Sequence, residues 1–317
     1  MQRFGAYAAF VSTLVGATVA MAQPAPQGEG LKAPAGKSVQ SARQAGKADF
    51  TSLGDAALPP NPQVSGGVLV DPLQWPATLI SQPSGCTATF VGPRVILTAA
   101  HCVAHKQPVT AHIRNRTRNA VCEHHPKYSA EFDNNQSDAN WDNTSADYAI
   151  CLVNASDAVT GVKFEMIGAG PDLVKKNAEV RLLGFGCNGK AISPDGYGVL
   201  RTAAAKVVEV PTAARPNNNY IITDWQGSES FKDAVGGALC PGDSGGAVYW
   251  PFKNDGRRIV GVNSRTQTKG DQAQTLTGIS YLSSTLTPMA TSFLVDWAAL
   301  NNVEICGITA SAQGCRE

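Results

Sequence analysis

Charge is scarce in this chain. Only 16% of its 317 residues are Asp, Glu, Lys or Arg, and they leave a formal net charge of +1. That balance provides no strongly basic face for a nucleic acid or an anionic membrane, so neither is expected as a partner. Beyond the N-terminal stretch, no run is apolar enough to span a bilayer. No two cysteines form a C-x-x-C pair, which argues against zinc; no metal and no cofactor is expected. Histidine stops early: the five lie at 101, 105, 112, 124 and 125. No internal repeat is evident.

What is present begins with MQRFGAYAAFVSTLVGATVAMAQP. Arg3, an apolar centre and Ala20-Met21-Ala22 read as a secretory signal over residues 1–22, cleaved after Ala22. Eight cysteines follow, at 86, 102, 122, 151, 187, 240, 306 and 315. An even count behind such a signal reads as a disulfide framework in an oxidising compartment, extracellular or periplasmic. Residues 23–63 are rich in Ala, Gly, Pro, Gln and Lys and end in LPPNPQ. They hold too few large apolar residues to fold alone and read as a pro-segment or linker.

The remainder alternates short apolar runs with turn residues. RVILTAA, DYAICLV, EVRLLGFG, GGAVYW, RIVGVNS and TGISYLS read as strands, which points to an all-β sandwich or barrel. One helix is expected near the end, with Thr287 as N-cap and Pro288 in its first turn. Met289, Phe293, Trp297 and Leu300 would form its core-facing stripe.

Residues 240–250 read CPGDSGGAVYW. Gly, Pro, Asp and Ser all favour turns, but Ser244 in G-x-S-x-G is also a candidate nucleophile. A serine hydroxyl needs a base to take its proton and a third group to orient that base. Every histidine precedes Ser244, which excludes the α/β-hydrolase order. An Asp…His…Ser order would draw on Asp49, Asp55 or Asp71 and belongs to a helix-rich parallel-sheet enzyme. A His…Asp…Ser order has His101 at the end of VILTAAHC and Asp147 at the head of DYAICLV.

TAAHC, DYAI and GDSGG, in that order, resemble the three signature stretches of the trypsin/chymotrypsin family of serine endopeptidases. The intervals of 46 residues from His101 to Asp147 and 97 from Asp147 to Ser244 suit that family. So do WP at 75–76, the Cys86–Cys102 interval, GFG at 184–186 and the late helix. The resemblance covers about residues 64 to 300. It implies two packed six-stranded antiparallel β-barrels with a C-terminal α-helix. Within residues 64–317, barrel 1 would span about 64–170, barrel 2 about 171–286, and helix and tail 287–317.

The resemblance also implies roles. Ser244 would attack the scissile carbonyl, His101 would shuttle the proton, and Asp147 would orient the imidazole. The backbone N–H groups of Gly242 and Ser244 would form the oxyanion hole. Asp243 would pair with a new amino terminus at Val64, where VSGG stands eleven residues before Trp75. Ser65 and Gln63 depart from the family pattern, which usually has an apolar residue and a basic residue at those places. The specificity pocket would have Ala238 as its floor, Ser264, Arg265 and Thr266 along one wall, and Gly278 on the far side. Cys86–Cys102 matches a family bridge. Cys187–Cys240, Cys122–Cys151 and Cys306–Cys315 complete the expected set. The implied activity is a secreted serine endopeptidase, made as a zymogen, acting as a monomer on peptide or protein substrates after an activating protease has cut it. The alternative is a catalytically inactive homologue that binds a partner.

Three further features carry less. DNNQSDANWDN at 133–143 is rich in oxygen ligands but lacks EF-hand spacing, so a solvated loop is expected there. His124 and His125 would point to opposite faces of a strand, not to one metal. Sequons start at Asn115, Asn135, Asn143 and Asn154.

Overall fold

All six apolar runs form strands in the computed structural model, and each lies in one of two closed barrels. The structure describes residues 48–52, 67–82, 85–128, 145–186, 198–215, 218–224, 237–251, 256–269, 277–309 and 314–316. The signal, the acidic loop at 133–143, Val64 and Cys187 lie outside these residues.

The first barrel is built from β1 (Asp49–Ser52), β3 (Thr78–Gln82), β4 (Thr87–Gly92), β5 (Val95–Thr98), β6 (Pro108–Ile113), β7 (Arg116–His124) and β8 (Ala149–Val153). Around the barrel the order is β1-β3-β4-β5-β8-β7-β6, closed by a parallel β6–β1 pairing. This is one strand more than the six expected. The extra strand, β1, comes from the stretch read as a pro-segment. β4 and β5 are buried along their whole length, Thr87, Thr89 and Thr98 included.

The second barrel contains β9 (Glu179–Gly184), β10 (Arg201–Glu209), β11 (Tyr220–Asp224), β12 (Ala247–Pro251), β13 (Arg257–Lys269) and β14 (Thr277–Ser284). Its order is β11-β14-β13-β12-β9-β10, closed by β10–β11, with β2 (Val68–Leu69) added to the edge of β10. The segment just after VSGG therefore crosses to the second barrel before the chain enters β3. Trp75 of the WP pair packs edge-on against Tyr249 of β12 with ring centroids 4.9 Å apart, and the Arg257 guanidinium lies over the same indole.

The helix α1 (Pro288–Asn301) starts as the sequence implied: Thr287 accepts from Ala290 N–H. Its buried face differs from the expected stripe. Ala290, Leu294, Trp297 and Ala298 are buried, whereas Leu300 is 83% exposed. Trp297 of the expected stripe is buried, and Met289 and Phe293 pack half-buried against the same core, with Ala290, Leu294 and Ala298 filling the face between them. Asn302, in the left-handed region, ends the helix and returns its N–H to Ala298 and Ala299 carbonyls. Among the described residues, no helix is long and apolar enough to cross a membrane.

Candidate active site

Asp147 stands two residues ahead of β8. The run behind it enters the core and takes the carboxylate with it, leaving Asp147 fully buried. Three donors meet it there. His101 Nδ1 lies 2.7 Å from Oδ2, the His101 backbone N–H donates to Oδ1 at 3.0 Å, and the Ser264 hydroxyl donates to Oδ2 at 2.6 Å. Burial alone would raise the Asp147 pKa. The charge and hydrogen bond of His101, with Arg265 and Ser264, outweigh burial and hold it below the ordinary carboxylate value. An ionised carboxylate only accepts, so the proton between the two side chains sits on Nδ1. An imidazole that donates from Nδ1 carries its lone pair, when neutral, on Nε2, where a general base requires it.

Local irregularity aims the third donor. The β13–β14 register pairs Asn263 with Leu282 and Arg265 with Tyr281, so Ser264 is the unpaired residue of a bulge. The bulge places its hydroxyl on Asp147. Arg265 is also nearly buried, its guanidinium 5.4 Å from the Tyr220 ring centroid.

The run CPGDSGG folds as two consecutive turns. Asp243 N–H donates to the Cys240 carbonyl at 3.0 Å, with Pro241 and Gly242 between them and Gly242 at φ 102°. A proline followed by a residue of positive φ is the type II turn, and that turn fixes the direction of the Gly242 N–H. Next, Gly246 N–H donates to the Asp243 carbonyl at 3.0 Å, with Gly245 at φ 80°. Ser244 occupies the corner of this second turn and is half-buried.

Both barrels clamp these turns. From the second, the buried Asn263 amide donates to the carbonyls of Asp243 at 3.0 Å and Leu183 at 2.9 Å. From the first, the Thr87 hydroxyl donates to the Gly242 carbonyl at 3.0 Å and accepts from Phe185 N–H, while Thr87 N–H donates to the Ser244 carbonyl at 2.7 Å. Thr87 follows Cys86, and Cys86 is bonded to Cys102, the neighbour of His101. A His101 ring nitrogen lies within 4.8 Å of both sulfurs. Covalent and hydrogen-bonded links thus connect the turn of Ser244 to the segment that carries His101. Thr87 and Asn263 were not singled out from sequence. The signal was faint: Thr87 is one of two threonines in β4, and Asn263 is one of many polar residues along β13.

Asp243 is 3% exposed, its two oxygens accepting from Gly186 N–H at 2.8 Å and Cys240 N–H at 2.9 Å. Burial raises its pKa to about 6, moderated by those two donors and by Arg201. Arg201, also buried, donates to the Gly186 carbonyl at 3.1 Å, so the peptides flanking Gly186 lie between cation and anion. A Cβ on Gly186 would lie 2.6 Å from the Asp243 carboxyl, which explains a glycine in GFG. Val64, the expected partner of Asp243, lies outside the described residues.

Three of the four expected disulfides are present: Cys86–Cys102, Cys122–Cys151 and Cys306–Cys315. Cys240 is also disulfide-bonded, but Cys187, its expected partner, is not among the described residues. Of the expected pocket, Ala238 is 3% exposed, and the next residue, Leu239, donates its N–H to the Ser280 hydroxyl at 2.9 Å. Thr266 donates its hydroxyl to the Ile279 carbonyl at 3.2 Å, and Gly278 pairs with Thr268. His124 and His125 do diverge. His124 meets the Val103 carbonyl, and His125 packs between Tyr148 and Phe293.

Residues 64–286 match the family model described as Trypsin. Comparison with curated proteins returns no match.

Proposed function

Because the chain belongs to the trypsin family of serine proteases, we propose that it is a secreted serine endopeptidase using His101, Asp147 and Ser244. The observation that carries this reading is the buried Asp147 carboxylate receiving His101 Nδ1 at 2.7 Å, which leaves Nε2 as the base. Ser244 Oγ attacks the scissile carbonyl and its proton passes to His101 Nε2. The oxyanion that forms is held by the N–H groups of Gly242 and Ser244. Imidazolium then gives the proton to the leaving amine, and an acyl-enzyme on Ser244 remains. Water, deprotonated by His101, completes the hydrolysis.

In this reading, cutting between Gln63 and Val64 frees an amine that pairs with Asp243. A buried carboxylate whose pKa stands near 6 is costly to ionise, so a cation brought to it lowers that cost. The disulfides fit an oxidising compartment. A fluorophosphonate probe should label Ser244 in the cut enzyme and not after Ser244→Ala. Failure to label a folded, cut enzyme would refute the assignment. N-terminal sequencing of active enzyme should begin at Val64; a start several residues away would remove the activation step alone.

A further inference from the structure

β1 lies upstream of the proposed cut, yet it is a full member of the first barrel. Asp49, Phe50, Thr51 and Ser52 pair antiparallel with Gln82, Ser81, Ile80 and Leu79 of β3. On the other side, Asp49, Phe50 and Thr51 pair in parallel with Thr110, Ala111 and His112 of β6. Thr110 N–H donates to the Ala48 carbonyl at 3.1 Å, and the Thr110 hydroxyl donates to the Asp49 carboxylate. The Phe50 ring is fully buried in the core cluster that also holds Leu79 and Ile113, and Ala48 is 2% exposed.

Neighbouring strands are about 4.8 Å apart, so β3 and β6, with β1 between them, stand about two spacings apart. Without β1 the barrel has two raw edges and an empty space where Phe50 sits. To reseal, β3 and β6 must close by about one spacing, with the tilt and side-chain packing of every other strand changed. The proposed cut at Gln63 falls eleven residues past Ser52 and does not touch this ladder. No cysteine precedes Cys86, so no disulfide can tether the fragment; among the described residues the ladder, the buried Ala48 and Phe50, and the Asp49–Thr110 hydrogen bond hold it.

We infer that residues 48–52 remain in the first barrel after the chain is cut at Gln63–Val64, making the mature enzyme a non-covalent assembly of two pieces of one chain. The partner of the slot between β3 and β6 is thus the leader's own strand. The two-piece state rests on the proposed activation cut; the permanence of the strand does not. An insertion in residues 53–62 of a recognition sequence for a highly specific protease gives a second, independent way to cut the chain.

The test is native size-exclusion chromatography of chain cut by either route, followed by denaturing mass spectrometry of the active peak. The fragment carrying residues 48–52 should co-elute with the larger piece in a one-to-one ratio and separate only in denaturant. A synthetic peptide spanning residues 46–54 should exchange into cut enzyme briefly exposed to mild urea, and the same peptide with Phe50→Asp should bind at least tenfold more weakly. Active, folded enzyme that elutes without the fragment overturns the inference, as does equal uptake of the two peptides. Absence of a natural cut at Gln63–Val64 would remove the activation reading, while retention after the engineered cut would still support the strand.

Discussion

Replacing Thr87 with valine keeps the shape of the side chain and removes one hydroxyl, and that hydroxyl joins the first barrel to the turn that aims Gly242. It donates to the Gly242 carbonyl at 3.0 Å and accepts from the Phe185 N–H at 3.3 Å, and Thr87 is fully buried. Phe185 is 1% exposed, so its N–H would lose a partner where water has little access, costing about 1–3 kcal/mol. Gly242 is half-buried, and water can partly replace the lost donor there. Stability should therefore fall by about 2 kcal/mol. The effect on rate is separate. Complete loss of one oxyanion donor costs about 2.7–4 kcal/mol of transition-state stabilisation. A turn freed of one tether keeps its type II geometry through Pro241 and Gly242, so only part of that is expected, about tenfold in kcat or about 1.4 kcal/mol. KM should change little, because the donors meet charge that develops only in the transition state. The assay is steady-state hydrolysis of a peptide substrate by cut wild type, Thr87→Val and Thr87→Ser, with urea unfolding of each. Thr87→Ser keeps the hydroxyl and should restore most of kcat. A wild-type kcat in Thr87→Val, or an equal loss in Thr87→Ser, would refute the reasoning.

Ser244→Ala and His101→Ala should each lower kcat by more than about 10³-fold, and the double variant should be hardly worse than either; steady-state kinetics on purified, folded protein checks this. Acid should loosen the docking of α1 on the first barrel. His125, 5% exposed between Tyr148 and Phe293, has its pKa lowered to about 4, chiefly by burial, so the fold favours its neutral form. Its contribution is complete above the unfolded value near 6.5 and is lost as pH falls from there to about 4, a total of about 3 kcal/mol. Urea unfolding at pH 7 and pH 4.5 should show a smaller drop for His125→Gln than for wild type; equal drops would remove His125 as the cause. As the expected pocket floor, the buried Ala238 would offer a cation no counter-charge, so small or medium apolar P1 residues should be preferred. A P1-scanning library that favoured Lys or Arg by tenfold or more would show that Ala238 is not the floor.

The strands were legible because short apolar runs bounded by turn residues are local signals, whereas their closure into two barrels was implied only by the family resemblance. β1 was not legible. DFTS is four residues with one large apolar side chain, set in a stretch whose composition argues against folding. What makes it a strand is the slot between β3 and β6, a tertiary feature about thirty and sixty residues away in sequence. Leu300 failed in the opposite way. It has the right spacing for the helix stripe, but it lies beside the face made by Ala290, Leu294, Trp297 and Ala298, and the two alanines carry little weight in a hydrophobic pattern. The triad candidates emerged from chain order together with the resemblance of TAAHC, DYAI and GDSGG to a family's signature stretches. The groups that hold them did not, because Thr87, Asn263 and Ser264 act through polar atoms that many residues could supply from many positions.

Those supporting groups reveal how the two barrels share the site. The first barrel supplies His101 and Asp147, but the hydroxyl that completes the carboxylate's donors comes from Ser264 on β13. The second supplies the turns around Ser244, but Thr87 on β4 ties both the Gly242 and the Ser244 carbonyls. Neither barrel contains a complete half of the chemistry. In the proposed chemistry, the Ser264 and Thr87 donors that cross between the barrels end on groups whose direction matters, an orienting carboxylate and a peptide beside an oxyanion donor. Small relative movement of the barrels would therefore misalign base and nucleophile before either sheet lost a ladder bond. The same geometry gives β1 a route to the active site: it sets the spacing of β3, which pairs with β4, and β4 carries Thr87. A leader strand that fixes the circumference of the first barrel also fixes where Thr87 meets the turn of Gly242.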